Sequence, residues 1–327
     1  MSLLQGIVDK NHILLLAIPK TGSTWLGRIL SSSMAYSYVH EPENELLSFF
    51  GYYGKQSLHR FPILNETSES KRFLDLFQMA FYQPYIIADS TSNRLLRMWA
   101  GITPQRVERE LNSLGINASR KMNSLFVLAH MMPKQLGNRN NRVVKTTHSI
   151  LAAPFLLQHF QDVKPLFLVR HPAAVVSNLL QGNNADIDRK LYKQETIQSD
   201  FPSLAQINFE KQTPEFRGGL QVALFYQQIE TLLHQYPDAN LVTFEDLAAD
   251  PFQTSYDLFQ SLEMEWTEKA ELHIANSRRK KSGVETRLET KRQAIKWKKE
   301  LSETQIEQIQ LGYSAIGPLR FYSEFQV

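Results

Sequence analysis

The chain has 327 residues, of which 43% are hydrophobic, 21% charged and 11% aromatic, a composition that excludes a disordered tail, a collagen-like repeat and a disulfide scaffold. Lys and Arg number 36 against 33 Asp and Glu, and the net charge of +3 is too even for a nucleic-acid coat or a membrane-surface protein. Cysteine is absent, which removes disulfides, Cys-ligated metal sites and thiol nucleophiles.

Residues 1–11 hold no long apolar stretch, and the first apolar run, Ile13–Ile18 (ILLLAI), is too short to span a bilayer. A soluble, cytoplasmic protein is expected. The run reads as a strand and is followed by helical character over Ser23–Met34. Further strand-like runs are Tyr85–Ala88, Arg142–Val144, Leu166–Val169 and Asn240–Phe244. None alternates strictly, and continuous apolar runs of this length suit strands buried on both faces. Helical segments follow the third, fourth and fifth runs at Ala152–Phe160, Ala173–Leu180 and Phe252–Leu262, and Glu215–Tyr236 precedes the fifth. The alternation predicts an α/β fold, a parallel sheet of about five strands flanked by helices. Two stretches break the rhythm: 46–139, rich in aromatics and methionine, and the polar 183–213. Both are expected as insertions covering a substrate site of one domain spanning 1–327, because no repeat or composition break marks a second.

The first strand runs into Pro19-Lys20-Thr21-Gly22-Ser23-Thr24-Trp25 and then into a helix. A helix N-terminus carries unpaired N–H groups and positive partial charge. Gly22 lets the backbone approach an anion, Thr21, Ser23 and Thr24 add hydroxyls, and Lys20 adds a full charge. Such a loop binds phosphate or sulfate. It is not the loop of ATPases, which needs Lys after a second Gly.

The segment resembles the 5′-phosphosulfate loop of sulfotransferases, P-K-[ST]-G-[ST]-T-W-L, which bind the donor 3′-phosphoadenylyl sulfate (PAPS) and release adenosine 3′,5′-bisphosphate (PAP). Three later segments resemble the same family. Arg170-His171-Pro172, followed by Ser177 and Asn178, is similar to its 3′-phosphate element. There the family Ser stands eight residues after Arg; here Ser177 is seventh and Asn178 eighth, so both are candidates. Phe244-Glu245-Asp246 through Asp250-Pro251 resembles Y-E-D-[LM]-x-x-D-P, whose aromatic lies near the donor adenine. Asp250 and Pro251 also read independently as a helix N-cap and first residue. The basic run Arg278–Gly283 resembles the C-terminal donor loop, with Arg279, Lys280, Lys281 and Gly283 as donor-binding candidates, and a W-K-x-x-L stretch recurs at Trp297.

The resemblance implies sulfuryl transfer from PAPS to a hydroxyl or amine of a small-molecule, lipid or carbohydrate acceptor, with no metal, no nucleic-acid partner and no membrane span. Trp25 joins the donor-loop residues. Lys20 is the natural cation for the leaving oxygen. Two segments offer a general base. Lys145-Thr146-Thr147-His148 resembles V-V-K-T-H, where Lys assists and His is the base, with one extra Thr here. Glu41-Pro42 resembles the E-P element of carbohydrate-type sulfotransferases. Two other classes fit the fold reading, an ATP-dependent kinase and a non-catalytic anion-binding relative.

Overall fold

The computed structural model describes residues 12–83 except 56, 90–107 except 104, 141–181, 187, 191–277 and 290–325. Five strands, β1 (His12–Ala17), β2 (Tyr36–His40), β3 (Asn141–Thr146), β4 (Val163–Val169) and β5 (Asn240–Thr243), form one sheet in the order β2-β3-β1-β4-β5. Every pairing is parallel, with Leu14 of β1 opposite Val144 on one side and Pro165 on the other. The expected parallel sheet flanked by helices is present.

The helices are α1 (Ser23–Leu30), α2 (Phe49–Gly54), α3 (Ser68–Tyr82), α4 (Ser90–Trp99), α5 (Ala153–His159), α6 (Pro172–Gln181), α7 (Glu195–Asp200), α8 (Pro214–Gln235), α9 (Phe244–Ala249), α10 (Pro251–Ser261), α11 (Glu268–Ser277), α12 (Thr290–Ala294), α13 (Trp297–Glu300) and α14 (Glu303–Ser314). None among the described residues is long and apolar enough to cross a membrane.

The ILLLAI run is continuous because each face of β1 meets its own core. Leu14, Leu16 and Ile18 pack with Val175, Val176 and Leu179 of α6 and with α8. Ile13, Leu15 and Ala17 pack with Trp25, Leu26 and Ile29 of α1 and with Phe259 of α10. The helices that follow β1 and β4 thus lie on opposite faces. Their connecting loops diverge and leave a crevice at the carboxyl ends of the central strands, the usual ligand position in an open α/β sheet.

Local sequence accounts for the element ends. Asp250 caps α10 by accepting from the Gln253 amide at 3.1 Å, with Pro251 at the first position, as the sequence predicts. Thr213 and Pro214 start α8 in the same way. The helix expected to reach Met34 stops at Leu30, because the hydroxyls of Ser31 and Ser32 donate back to the carbonyls of Arg28 and Ile29. Strand β2 carries no apolar signal: it is an edge strand reading Tyr-Ser-Tyr-Val-His, paired only with β3. Tyr85–Ala88 lies outside the described residues. The aromatics of 46–139 enter the core: Phe49, Phe50, Tyr52 and Tyr53 of α2 and Phe73, Phe77 and Phe81 of α3 are all buried.

Candidate functional site

A cavity of about 430 Å³ opens at the carboxyl ends of the sheet. Each of the five strands delivers a residue to its wall at its own end: Lys20 after β1, Glu41 after β2, Thr147 and His148 after β3, Arg170 after β4 and Phe244 after β5. These residues are up to 224 positions apart (244 − 20) and meet because the strands are parallel.

The β1 loop turns through two left-handed residues, Lys20 at φ 70° and Gly22 at φ 94°. Glycine is required at position 22 twice over. L side chains rarely adopt that φ, and a Cβ there would stand 2.9 Å from the Phe244 ring. Gly22 is also the N-cap of α1, and no side chain caps that helix. Its first-turn N–H groups therefore lie at the wall that Gly22, Ser23 and Thr24 contribute. The Lys20 side chain is exposed at the cavity. Trp25 lines the cavity with its buried indole Nε1 lacking a hydrogen-bond partner among the described residues. Thr21 plays another part: its hydroxyl donates to the Ile18 carbonyl at 2.8 Å, and the residue is not on the cavity wall.

Arg170 crosses the crevice. Its Nη1 donates to the Lys20 carbonyl at 3.1 Å, its Nη2 to the Gln293 carbonyl at 2.8 Å, and its guanidinium lies 3.9 Å over the Phe244 ring. Its Nε is buried with no partner among the described residues. Its backbone is pinned from below, with the amide donating to Tyr226 Oη at 2.8 Å and the Tyr226 hydroxyl donating to the Arg170 carbonyl. A side cavity of about 90 Å³ adjoins the main one and shares Arg170, Asn178 and Gln293 with it. Ser177 lines only the side cavity, where its hydroxyl donates to Glu300 Oε2 at 3.0 Å. Asn178 reaches both. The basic run holding Arg279, Lys280, Lys281 and Gly283 lies outside the described residues.

The opposite wall is a charged cluster. Glu41, at φ 43°, accepts from the Lys145 ammonium, from the Thr147 hydroxyl at 3.0 Å and from Asn44 Nδ2 at 2.5 Å. Burial pushes its carboxyl up, but the neighbouring charges, Lys145 first, more than offset this, leaving it well below the usual carboxylate range. Glu43 accepts from the Thr146 hydroxyl and from the Thr147 and His148 amides, both at 3.1 Å. The extra Thr in Lys145-Thr-Thr-His148 is thereby explained: the segment wraps two carboxylates, and Thr147 supplies a hydroxyl to Glu41. His148 is buried edge-on to Phe61, with Nδ1 3.0 Å from Lys55 Nζ and 3.4 Å from Glu45 Oε2.

Most of the sequence candidates converge on this cavity. Among the described residues, neither 46–139 nor 183–213 contributes to its wall. Asn44, Glu43, Glu45, Lys55 and Gln293 were not legible beforehand. Glu43, Asn44 and Glu45 directly follow the Glu41-Pro42 element but carry no pattern of their own, and Lys55 ends an aromatic run that reads as core.

The sequence model of the sulfotransferase family matches residues 12–268. Similar solved structures include the sulfotransferase domain of the curacin biosynthetic pathway, at 16% identity and TM-score 0.47 over 92% of this chain and 96% of that one. The sulfotransferase domain of the Synechococcus PCC 7002 olefin synthase is similar at 16% identity and TM-score 0.45, covering 93% of this chain and 95% of that one. A sulfotransferase from Mycobacterium avium is similar at 14% identity and TM-score 0.44, covering 94% and 76%. No curated protein matches the chain in sequence. The family match covers more than half of the chain, from β1 into α11, and the chain belongs to the sulfotransferase family.

Proposed function

We propose that the protein transfers a sulfuryl group from PAPS to a hydroxyl or amine of a small-molecule, lipid or carbohydrate acceptor. The observation that carries this reading is the pairing of an uncapped helix N-terminus beside Lys20 with an Arg170 guanidinium whose Nε is buried and without a partner among the described residues. Both sit in one cavity, and both are donor sets made for anions. A nucleotide with phosphate groups at each end of its ribose would engage both, and Phe244 lines the same cavity beneath the guanidinium.

PAPS would supply the activated sulfuryl group, with PAP as the leaving product. The chain's own residues hold and position. The first-turn amides of α1 and the Lys20 ammonium stabilise the leaving phosphate oxygen as its S–O bond breaks. Arg170, with Asn178 or Ser177, holds the distal phosphate. The acceptor proton leaves to a group on the opposite wall, where Glu41 and His148 both face the cavity. In this reading Lys145, now paired with Glu41, turns to the transferring group when the donor is bound. A soluble, cytoplasmic enzyme is part of the same proposal.

Thermal unfolding with ligands tests the reading. PAP is expected to raise Tm without added metal. Stabilisation by ATP–Mg²⁺ alone would assign the cavity to a kinase-type nucleotide instead. Transfer of labelled sulfate from PAPS to a panel of hydroxyl and amine acceptors then separates an enzyme from a non-catalytic binder.

A further inference from the structure

We propose that Lys55 is a positioning residue that fixes the tautomer of His148, so that the imidazole presents Nε2–H to the cavity as a hydrogen-bond donor and is not the general base. The structural part stands on geometry alone; its consequence for proton transfer rests on the sulfuryl-transfer reading.

Lys55 follows α2 directly, and its side chain is fully buried. An ammonium has three N–H donors and no acceptor. All three of its donors are used: on Glu45 Oε2 at 2.8 Å, on the Arg60 carbonyl at 2.8 Å and on His148 Nδ1 at 3.0 Å. The Nδ1 contact is sound only if that nitrogen offers a lone pair. A proton on Nδ1 would point at an ammonium hydrogen in a site closed to bulk solvent. The carboxylate that would favour Nδ1–H, Glu45 Oε2, stands farther off at 3.4 Å and already accepts from Lys55. The other charged groups around the ring do not contest Nδ1. Glu43 accepts from the His148 backbone amide, Arg60 pairs with Glu45 at 3.1 Å, and Lys145 is engaged with Glu41. A neutral ring with a bare Nδ1 carries its proton on Nε2. That nitrogen has no hydrogen bond among the described residues, and His148 lines the cavity.

A donor at this place has a defined use. It can hold an acceptor oxygen or a sulfuryl oxygen, and it cannot take the acceptor's proton without first losing its own.

The tautomer is directly observable. Protein with ¹⁵N-labelled histidine rings is examined by long-range ¹H–¹⁵N correlation at about pH 8, above the ordinary histidine range. The spectrum of His148→Gln assigns the ring, and a protonated and a bare ring nitrogen have well-separated shifts. The expected result in the unaltered protein is a protonated Nε2 and a bare Nδ1. In Lys55→Met the proton is expected to move to Nδ1, where Glu45 Oε2 can now accept it. A protonated Nδ1 in the unaltered protein overturns the proposal, as does an unchanged tautomer in folded Lys55→Met. The unaltered protein decides even where the variant does not fold. No arm depends on PAPS or on turnover, so failure of the donor assignment leaves this result standing.

Discussion

The Arg170 guanidinium is the best-defined anion donor of the cavity. Two of its nitrogens are spent on the Lys20 and Gln293 carbonyls, its face lies on Phe244, and Nε remains. Removing a charged donor from a ligand contact costs about 1.5–3 kcal/mol. Arg170→Ala is therefore expected to weaken PAP binding by about 10- to 100-fold, measured by calorimetry. Arg170→Lys is expected to recover little, since a point charge cannot make the forked contacts or the stack. The Lys20 side chain is exposed and only its carbonyl holds Arg170, a contact that alanine keeps, so Lys20→Ala should leave folding intact. It should abolish sulfuryl transfer while changing PAP affinity less than Arg170→Ala does. Turnover at the normal rate in Lys20→Ala would mean that another cation meets the leaving oxygen. The lysine, the glycine and the arginine were legible in sequence because each sits in a short motif directly after a buried strand. Lys55, Glu43 and Glu45 were not. Their roles arise from contacts such as Lys55 with His148, 93 positions apart, which no local pattern encodes.

Packing between elements fixes what propensity alone would leave open. Helices α8 and α14 cross so closely that each presents a glycine to the other's backbone. A Cβ on Gly219 would stand 2.2 Å from the Ile309 carbonyl oxygen, and one on Gly312 would stand 2.0 Å from that of Phe216. In a free helix, Gly→Ala stabilises by about 1 kcal/mol. Here the sign reverses, because backbone cannot move aside as a side chain does. Gly219→Ala and Gly312→Ala are each expected to destabilise by about 1–3 kcal/mol, read as a lower urea midpoint. A stabilised variant would show that the crossing is looser than it stands. The crossing matters to the site because Tyr226 of α8 grips both backbone groups of Arg170 and packs against Tyr313 of α14. The central strands were legible as unbroken apolar runs for the reason that both faces are covered. Edge strand β2 was not, since Tyr-Ser-Tyr-Val-His holds no apolar run, yet it delivers Glu41. The motif Glu41-Pro42 was visible while the strand that aims it was hidden.

At the scale of the whole molecule, charge is buried in and around the site, and this sets how stability responds to acid. His171 stacks on Trp297 at 4.4 Å and is pushed down to about 4, first by burial and then by Lys298 and Arg170. His40 is pushed down to about 4, first by burial and then by Lys145. Against an ordinary value of 6.5, the unfolded chain takes up these protons before the folded one does. Their contribution is complete above about pH 6.5 and drains away as pH falls toward 4. Glu41 and Glu45 lie on the other side of the balance of charge but act in the same direction. Burial raises each carboxyl, and Lys145 for Glu41 and Lys55 for Glu45 lead the charges that hold it below its ordinary 4.5. Their stabilisation is present above that value and is lost below it. Stability is therefore expected to fall between about pH 6.5 and 4 and to fall more steeply beneath, with His171 accounting for about 1–3 kcal/mol of the first decline. Urea midpoints at about pH 7, 5.5 and 4.5 measure it. His171→Phe keeps an aromatic ring against Trp297 and removes the titration, so its midpoint should change less over that interval than that of the unaltered chain. An equal slope in both would show that His171 takes up its proton while the protein is still folded.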